Sequence, residues 1–368
     1  MISQNQKRTV DALTESGSVR HRFLQWILLL YVPVSLGYWM YDHRVLYYLA
    51  LLLPLAIPLF IRYVSDLEAF VAIILVVLSL IYSAHLVVYD LVFYTGYVTL
   101  INFLLALGLL RARFSHQLWD LITLALSMYA IVGVTVLEIP SNDLIEVGSR
   151  NVMVTILFFF ASMGHLYRVS DGIESELLAV TSGGTTIIAI LMVGGRTGVA
   201  IGIGLLTIYL VHFLSHTGAS FTMLSVAGTI ALIATLSGLI LASNVHILSI
   251  ERLLNRGLET PRWRTWSTGI RQLSAKSWLI GGPPGWPRRE TGMLFHNSFL
   301  RALMVYGVAG FIGLSAGVLY LLYKYARTDA SLTFLVFLLG FRITFDSHFI
   351  APYLGILVFL LFIFPKFD

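Results

Sequence analysis

The chain has 368 residues, 58% hydrophobic and only 12% charged, with a formal net charge of +5. Soluble domains carry about a quarter charged residues, so these few charges cannot cover so apolar a core in water, and lipid must be the solvent. Cysteine is absent, which excludes disulfides, iron–sulfur clusters and thiolate nucleophiles or metal ligands.

Residues 1–22 are polar and charged and lack a signal-peptide cleavage site, so they read as a cytoplasmic tail and the first apolar run as a retained anchor. A membrane-crossing helix needs about 20 mostly apolar residues. Windows of that size place spans at 23–41, 45–64, 69–89, 91–110, 118–138, 151–167, 175–194, 198–214 and 219–243, then at 295–322, 331–345 and 349–365. The last two are short enough to form a re-entrant pair. The expected fold is an all-α integral membrane protein of about 12 transmembrane helices, nine within 23–243 and three within 295–368. Between them, 244–294 collects polar residues, Trp, Pro and Gly and stands apart as a loop. No internal repeat or low-complexity tract interrupts this pattern.

Lys and Arg in short flanks set orientation. With the N-terminus in the cytoplasm, the inside flanks hold Lys7, Arg8, Arg20, Arg22, Arg62, Arg111, Arg113, Arg168, Lys324, Arg327 and Lys366. The outside flanks hold only Arg44, Arg150 and Arg196, beside the acidic turn Glu138–Glu146. Eleven against three puts both termini in the cytoplasm and 244–294 outside. That loop carries eight basic residues (Arg252, Arg256, Arg262, Arg264, Arg271, Lys276, Arg288, Arg289) against Glu251, Glu259 and Glu290. Long loops translocate despite charge. Such a loop suits either anionic headgroups or an anion site for phosphate or pyrophosphate on a lipid-linked substrate. No nucleic-acid partner is expected. Within it, 246–257 sets Ile247, Ile250, Leu253 and Leu254 on one helical face, which fits a helix lying at the interface or an extension of the preceding span.

Three features on the expected outer face carry chemistry. Gly194-Gly195-Arg196-Thr197-Gly198 lets backbones approach and aims an arginine fork at an oxyanion, or merely snorkels an arginine to headgroups. Pro261-Arg262-Trp263-Arg264-Thr265-Trp266 pairs guanidiniums with indoles, which suits sugar phosphates and equally suits an aromatic belt. If helical, it puts Arg262 and Trp266 on one face. Gly281–Pro287, with three prolines and three glycines, must be irregular. Phe295-His296-Asn297-Ser298 opens the tenth span, and an imidazole there can take a proton from a sugar hydroxyl.

Together these residues resemble the O-antigen ligase and polymerase superfamily. His296-Asn297, nine residues, then Gly307-Val308-Ala309-Gly310 is similar to its His-Asn-x9-Gly-x-x-Gly signature. Gly195-Arg196 resembles its small-residue–Arg step, and Arg262-x-x-x-Trp266 its Arg-x-x-x-Trp loop motif. The resemblance covers 190–315, while the first 190 residues match in hydropathy alone. It implies a GT-C-type architecture in the bacterial inner membrane and metal-independent glycosyl transfer, without cofactor, on the periplasmic side. The donor implied is a glycan on undecaprenyl pyrophosphate. His296 is then the base that deprotonates the acceptor hydroxyl, and Arg196 and Arg262 clamp the pyrophosphate. Arg264 lies two residues from Arg262 and competes for that role, and Thr260-Pro261 stands where the family has Ser-Gly. Arg264, Trp266, Arg271, Arg288, Arg289 and Asn297 are the further substrate-binding candidates. The chemistry is self-consistent: pyrophosphate gains charge as the C–O bond breaks, and fixed guanidiniums stabilise that charge. No Asp-x-Asp pair is present to hold a metal.

Two reactions occur in this superfamily. A polymerase joins lipid-linked repeat units, with a chain-length regulator as candidate partner. A ligase transfers the finished glycan to lipid A–core. The compact loop favours polymerase, as does a second carbohydrate subsite built from Arg342 and Asp346-Ser347-His348. A transporter or flippase for the same lipids is the reading from another class, but no inverted symmetry is visible.

Overall fold

The computed structural model describes residues 19–61, 64–88, 95–146, 150–173, 177–193, 196–216, 266–267, 269–271, 273, 275–281, 297–345 and 353–364. Regular structure among them is entirely helical. Among the described residues, four helical segments are long and apolar enough to cross a membrane: Val19–Tyr41, His116–Thr135, Arg150–Ser170 and Tyr306–Ala326. Shorter apolar helices of 10–17 residues accompany them. The chain divides into two units, one of residues 1–115, 145–148 and 350–365, the other of 116–144, 149–349 and 366–368.

In the first unit, helix α1 (Val19–Tyr41) buries Leu24, Leu28, Tyr31, Val34, Ser35 and Trp39, steps of three and four along one stripe. Outside the stripe Trp26 is 69% exposed, an apolar surface that lipid would cover. Ser35 Oγ shares a 2.9 Å hydrogen bond with the Tyr353 hydroxyl, just before α12 (Leu354–Ile363). Helix α2 (Arg44–Leu52) does not continue as the expected span over 45–64. It tightens into a 3-10 segment, Leu53–Leu59, that contains Pro54 and Pro58. A proline inside a helix has no N–H for the ladder and clashes with the preceding turn, so the α-helix stops there.

Helix α3 (Asp66–Val88) opens on a capping box: Ser65 N donates to Glu68 Oε2 at 2.7 Å and Glu68 N to Ser65 Oγ at 3.3 Å. Arg111, in the last turn of α4 (Thr95–Ala112), closes on the same carboxylate at 2.7 and 2.6 Å. Gln25 Nε2 donates to the Ala112 carbonyl at 3.0 Å, which satisfies one of the orphan acceptors at that helix end. Phe103 of α4 meets Phe359 of α12 edge-on with centroids 5.5 Å apart.

The second unit is built around α6 (Arg150–Ser170), buried on every side from Val152 to Arg168. A helix with no polar face belongs at the centre of a bundle. Helices α5 (His116–Thr135), α7 (Leu177–Val193), α8 (Arg196–His216) and α11 (Ala330–Phe345) belong to the same unit. The few polar groups on α6 are answered by neighbours. Arg168 Nη2 donates to both oxygens of Asp120 on α5, at 2.8 and 2.7 Å, with both side chains 1% exposed. Ser182 of α7 adds a 3.2 Å bond to the same carboxylate. Gly164 makes this possible, because a Cβ there would lie 2.7 Å from Asp120 Oδ1. His165 Nε2 lies 2.9 Å from Ser331 Oγ, whose own proton goes to Asp329 Oδ1 at 2.6 Å. The serine therefore accepts from the histidine. Asp329 also caps α11 through Leu332 N at 2.8 Å. Beyond α6, Gly172 at φ 67° closes the helix as Ile173 N donates back to Arg168 O.

Helix α10 (Ser298–Ala326) is two segments joined at a kink. Gly307 has φ 67° and ψ −163°, a region essentially closed to side chains. At Gly310 a Cβ would meet Tyr306 Cβ at 2.5 Å and the Ala302 carbonyl at 2.8 Å. The two glycines read from the sequence as a spaced pair thus serve one bend. Gly307→Ala and Gly310→Ala are each expected to destabilise the protein, by about 1–3 kcal/mol. Unfolding in detergent checks this, and an unchanged midpoint in both variants would show that the bend needs neither glycine.

Candidate functional site

The second unit brings several helix ends together. Gly198, in the first turn of α8, packs on Val154 of α6, where a Cβ would lie 3.3 Å from Val154 Cγ2, and beside the Ile190 carbonyl of α7 at 3.5 Å. Further along α8, Gly204 lies directly against the Leu338 side chain of α11. These contacts put the N-termini of α6 and α8 and the C-termini of α7 and α11 at one end of the bundle. Two helix N-termini there carry N–H groups with no acceptor inside their own helix and positive dipole ends, which favour anions. At the other end of the bundle lies the buried Asp120–Arg168–Ser182 group.

Arg196 is the first residue of α8, so its backbone stands at this gathered end; its side chain lies outside the described residues. Arg342, in the last turn of α11, reaches the same end. Its side chain is fully buried, at 0% exposure. Arg342 Nη2 donates to Asn151 O at 2.6 Å and to Thr155 Oγ1 at 2.6 Å, while the Thr155 hydroxyl donates to the same Asn151 carbonyl at 3.0 Å. Arg150, the first residue of α6, is exposed beside them in the chain.

A second grouping forms on α10. Asn297 is its N-cap: Oδ1 accepts from Leu300 N at 3.0 Å, and the residue is 6% exposed. This fixes where the helix begins, with its cap one residue after His296 in the chain. Trp266 and Leu300 are partly buried against a cluster of Leu273, Leu303 and Met304, so Trp266, the last residue of the Arg-x-x-x-Trp motif, packs beside the helix that Asn297 caps. Helix α9 (Ala275–Ile280) packs on α10 too. Arg271 is exposed. His296, Arg262, Arg264, Arg288, Arg289 and His348 lie outside the described residues.

Among the described residues no cluster of His, Cys, Asp or Glu is arranged to hold a metal ion. In the first unit, Tyr31, Ser35, Trp39, Tyr47 and Asn102 line a cavity of about 30 Å³. That space admits water but not a sugar ring.

Sequence reasoning missed the buried charges of α5 and α6. Arg168 was counted with the flanking cations, and Asp120 was absorbed into an apolar window. No spacing rule links positions 48 residues apart in sequence. The available signal was the acid itself, since an ionisable side chain inside an apolar run requires a partner.

Comparison with family models, curated proteins and solved structures returns no match for this chain.

Proposed function

We propose that this protein is a polytopic inner-membrane glycosyltransferase of GT-C type with about 12 spans, both termini cytoplasmic and its active site facing the periplasm. It transfers a glycan from an undecaprenyl-pyrophosphate carrier without a metal, and the preferred reaction is polymerisation of surface-polysaccharide repeat units. The observation that carries this reading is the order of its motifs: Gly195-Arg196, then Arg262-x-x-x-Trp266, then His296-Asn297-x9-Gly307-x-x-Gly310. Three features of the fold support it. Arg196 starts a helix at an end where two N-termini gather. Trp266 packs on the helix that follows His296. The glycine pair shapes that helix.

In this mechanism His296 takes the proton of the acceptor hydroxyl as it attacks the anomeric carbon. The pyrophosphate leaves with its electron pair, and Arg196 with Arg262 (or Arg264) meets the growing charge. The preference for polymerase over ligase rests on a compact loop of about 50 residues, 244–294.

Purified protein in proteoliposomes, given a lipid-linked repeat unit alone, should yield a ladder of longer lipid-linked products. Transfer only when lipid A–core is added would make it a ligase. No transfer under either condition, with lipid crossing the bilayer instead, would move it to the flippase class.

A further inference from the structure

We propose that the end of the first unit where α1 begins and α4 ends is a binding site for an anionic phospholipid headgroup, held by Arg22 and Arg113 with Arg20 beside them. The site rests on the reading of the chain as a membrane protein and is independent of any glycan transfer. With the N-terminus cytoplasmic, the lipid belongs to the inner leaflet.

Two contacts set the register of α1 against α4. Gln25 Nε2 donates to the Ala112 carbonyl at 3.0 Å. One turn inward on both helices, a Cβ at Gly108 would lie 3.4 Å from Leu28 Cδ2. The helices therefore run antiparallel here. One turn outward, the same register brings Arg22 toward Arg113, the residue after the last of α4. Arg20, Arg22 and Arg113 are all exposed, and among the described residues no carboxylate pairs with any of them. By contrast Arg111, two residues before Arg113, is neutralised by both oxygens of Glu68.

The backbone makes the same distinction. Arg113 has φ 44°, in the left-handed region where glycine is favoured and a side chain is strained. Its N–H still closes α4 on the Leu109 carbonyl at 3.3 Å. Glycine would end the helix with less strain, so the arginine is there for its side chain. Arg20 and Arg22 stand in the first turn of α1 with no acid beside them, where the helix dipole disfavours cations and favours anions.

The surface next to these cations selects a lipid over a free anion. Trp26, one turn inward from Arg22, is 69% exposed. Phe23 is 54% exposed and stacks on Phe60 with centroids 5.8 Å apart. Cations above exposed aromatic rings match the boundary between a phosphate headgroup and its acyl chains.

Native mass spectrometry of the full-length protein, sprayed from detergent micelles, counts retained lipid. The probe is cardiolipin, whose headgroup carries two phosphates, and the control is phosphatidylcholine with the same chains. Unsubstituted protein should retain cardiolipin at least about tenfold better than the control. Arg22→Gln and Arg113→Gln should each weaken that retention about fivefold, the effect of one basic residue at an anionic surface. Arg22→Lys keeps a point charge that phosphate accepts and should stay within about twofold. Arg327→Gln removes an equal charge from an exposed position of the second unit and should also stay within about twofold. A loss there as large as in Arg22→Gln would reduce the effect to net charge and overturn the site, as would equal retention of the two lipids. Excess inorganic phosphate should not displace cardiolipin, and displacement would make this a site for free anions instead. Arg113→Gly separates the site from the helix end. It relieves the left-handed strain, so thermal unfolding without lipid should be unchanged or higher while retention falls about fivefold. Lower stability with normal retention would return Arg113 to the role of a structural cap.

Discussion

His296→Ala should abolish glycan transfer, lowering turnover by about 10²–10⁴-fold, while leaving the protein in the membrane at normal abundance. In the proposed reaction the acceptor is a sugar hydroxyl, a poor nucleophile unless its proton is removed as the new bond forms. Histidine is the side chain that titrates near neutrality and can take that proton. The neighbouring residue already has a structural task, since the Asn297 side chain caps α10. Removing His296 leaves that cap, the glycine bend and the Trp266 contact in place, so loss of activity would not follow from loss of the helix. The measurement is turnover of lipid-linked repeat units in proteoliposomes, with thermal unfolding of the same preparation as control. Near-normal turnover would return His296 to the role of a polar residue before a helix.

Breaking the Asp120–Arg168 pair from one side should cause the largest loss of stability in the second unit. Asp120→Asn keeps the shape of the side chain and removes its charge, leaving the 1%-exposed Arg168 without a counter-ion. Such one-sided disruption costs about 3–5 kcal/mol, because the remaining charge is buried uncompensated. Arg168→Met should cost a similar amount by exposing the carboxylate to an apolar neighbourhood. Combining Asp120→Asn with Arg168→Met removes both charges, so the double variant should be more stable than either single one, a coupling that only contacting residues show. Thermal unfolding in a mild detergent would measure all three. A double variant as unstable as the sum of the singles would mean that the two charges act separately.

Hydropathy made the helical class legible, because crossing a bilayer demands long runs that hydrogen-bond internally. It did not make continuity legible. A window sums hydrophobicity and ignores backbone chemistry, so it joined α2 to its 3-10 segment across Pro54 and Pro58, and ran α10 straight through Gly307. The prolines were visible signals of the first break. Hydropathy does not distinguish the bent Gly307 from Gly313, which sits in an ordinary helical turn; only the signature it resembles sets Gly307 apart. The candidate site was legible as an ordered set of residue types. Its geometry was not, because the chain order of Arg196 and Arg342 carries no record that Gly198 and Leu338 belong to neighbouring helices. Arg342 illustrates the limit: the sequence offered it as a sugar contact, and only the fold shows that its guanidinium lies against α6.

The order in which the Asp120–Arg168 partners emerge during synthesis bears on how the second unit is made. An arginine at the centre of a spanning helix costs about 2.5–3.5 kcal/mol on the insertion scale, and less toward a helix end such as the last turn of α6, where Arg168 stands. Asp120 precedes Arg168 by one helix hairpin, so the acid has already left the ribosome when the arginine arrives. The two run antiparallel, and their charges lie at the same end of α5 and α6. Insertion of that pair as one hairpin brings the ions into the bilayer already neutralised. Such a hairpin would give the enclosed α6 a companion before α7, α8 and α11 are made to surround it.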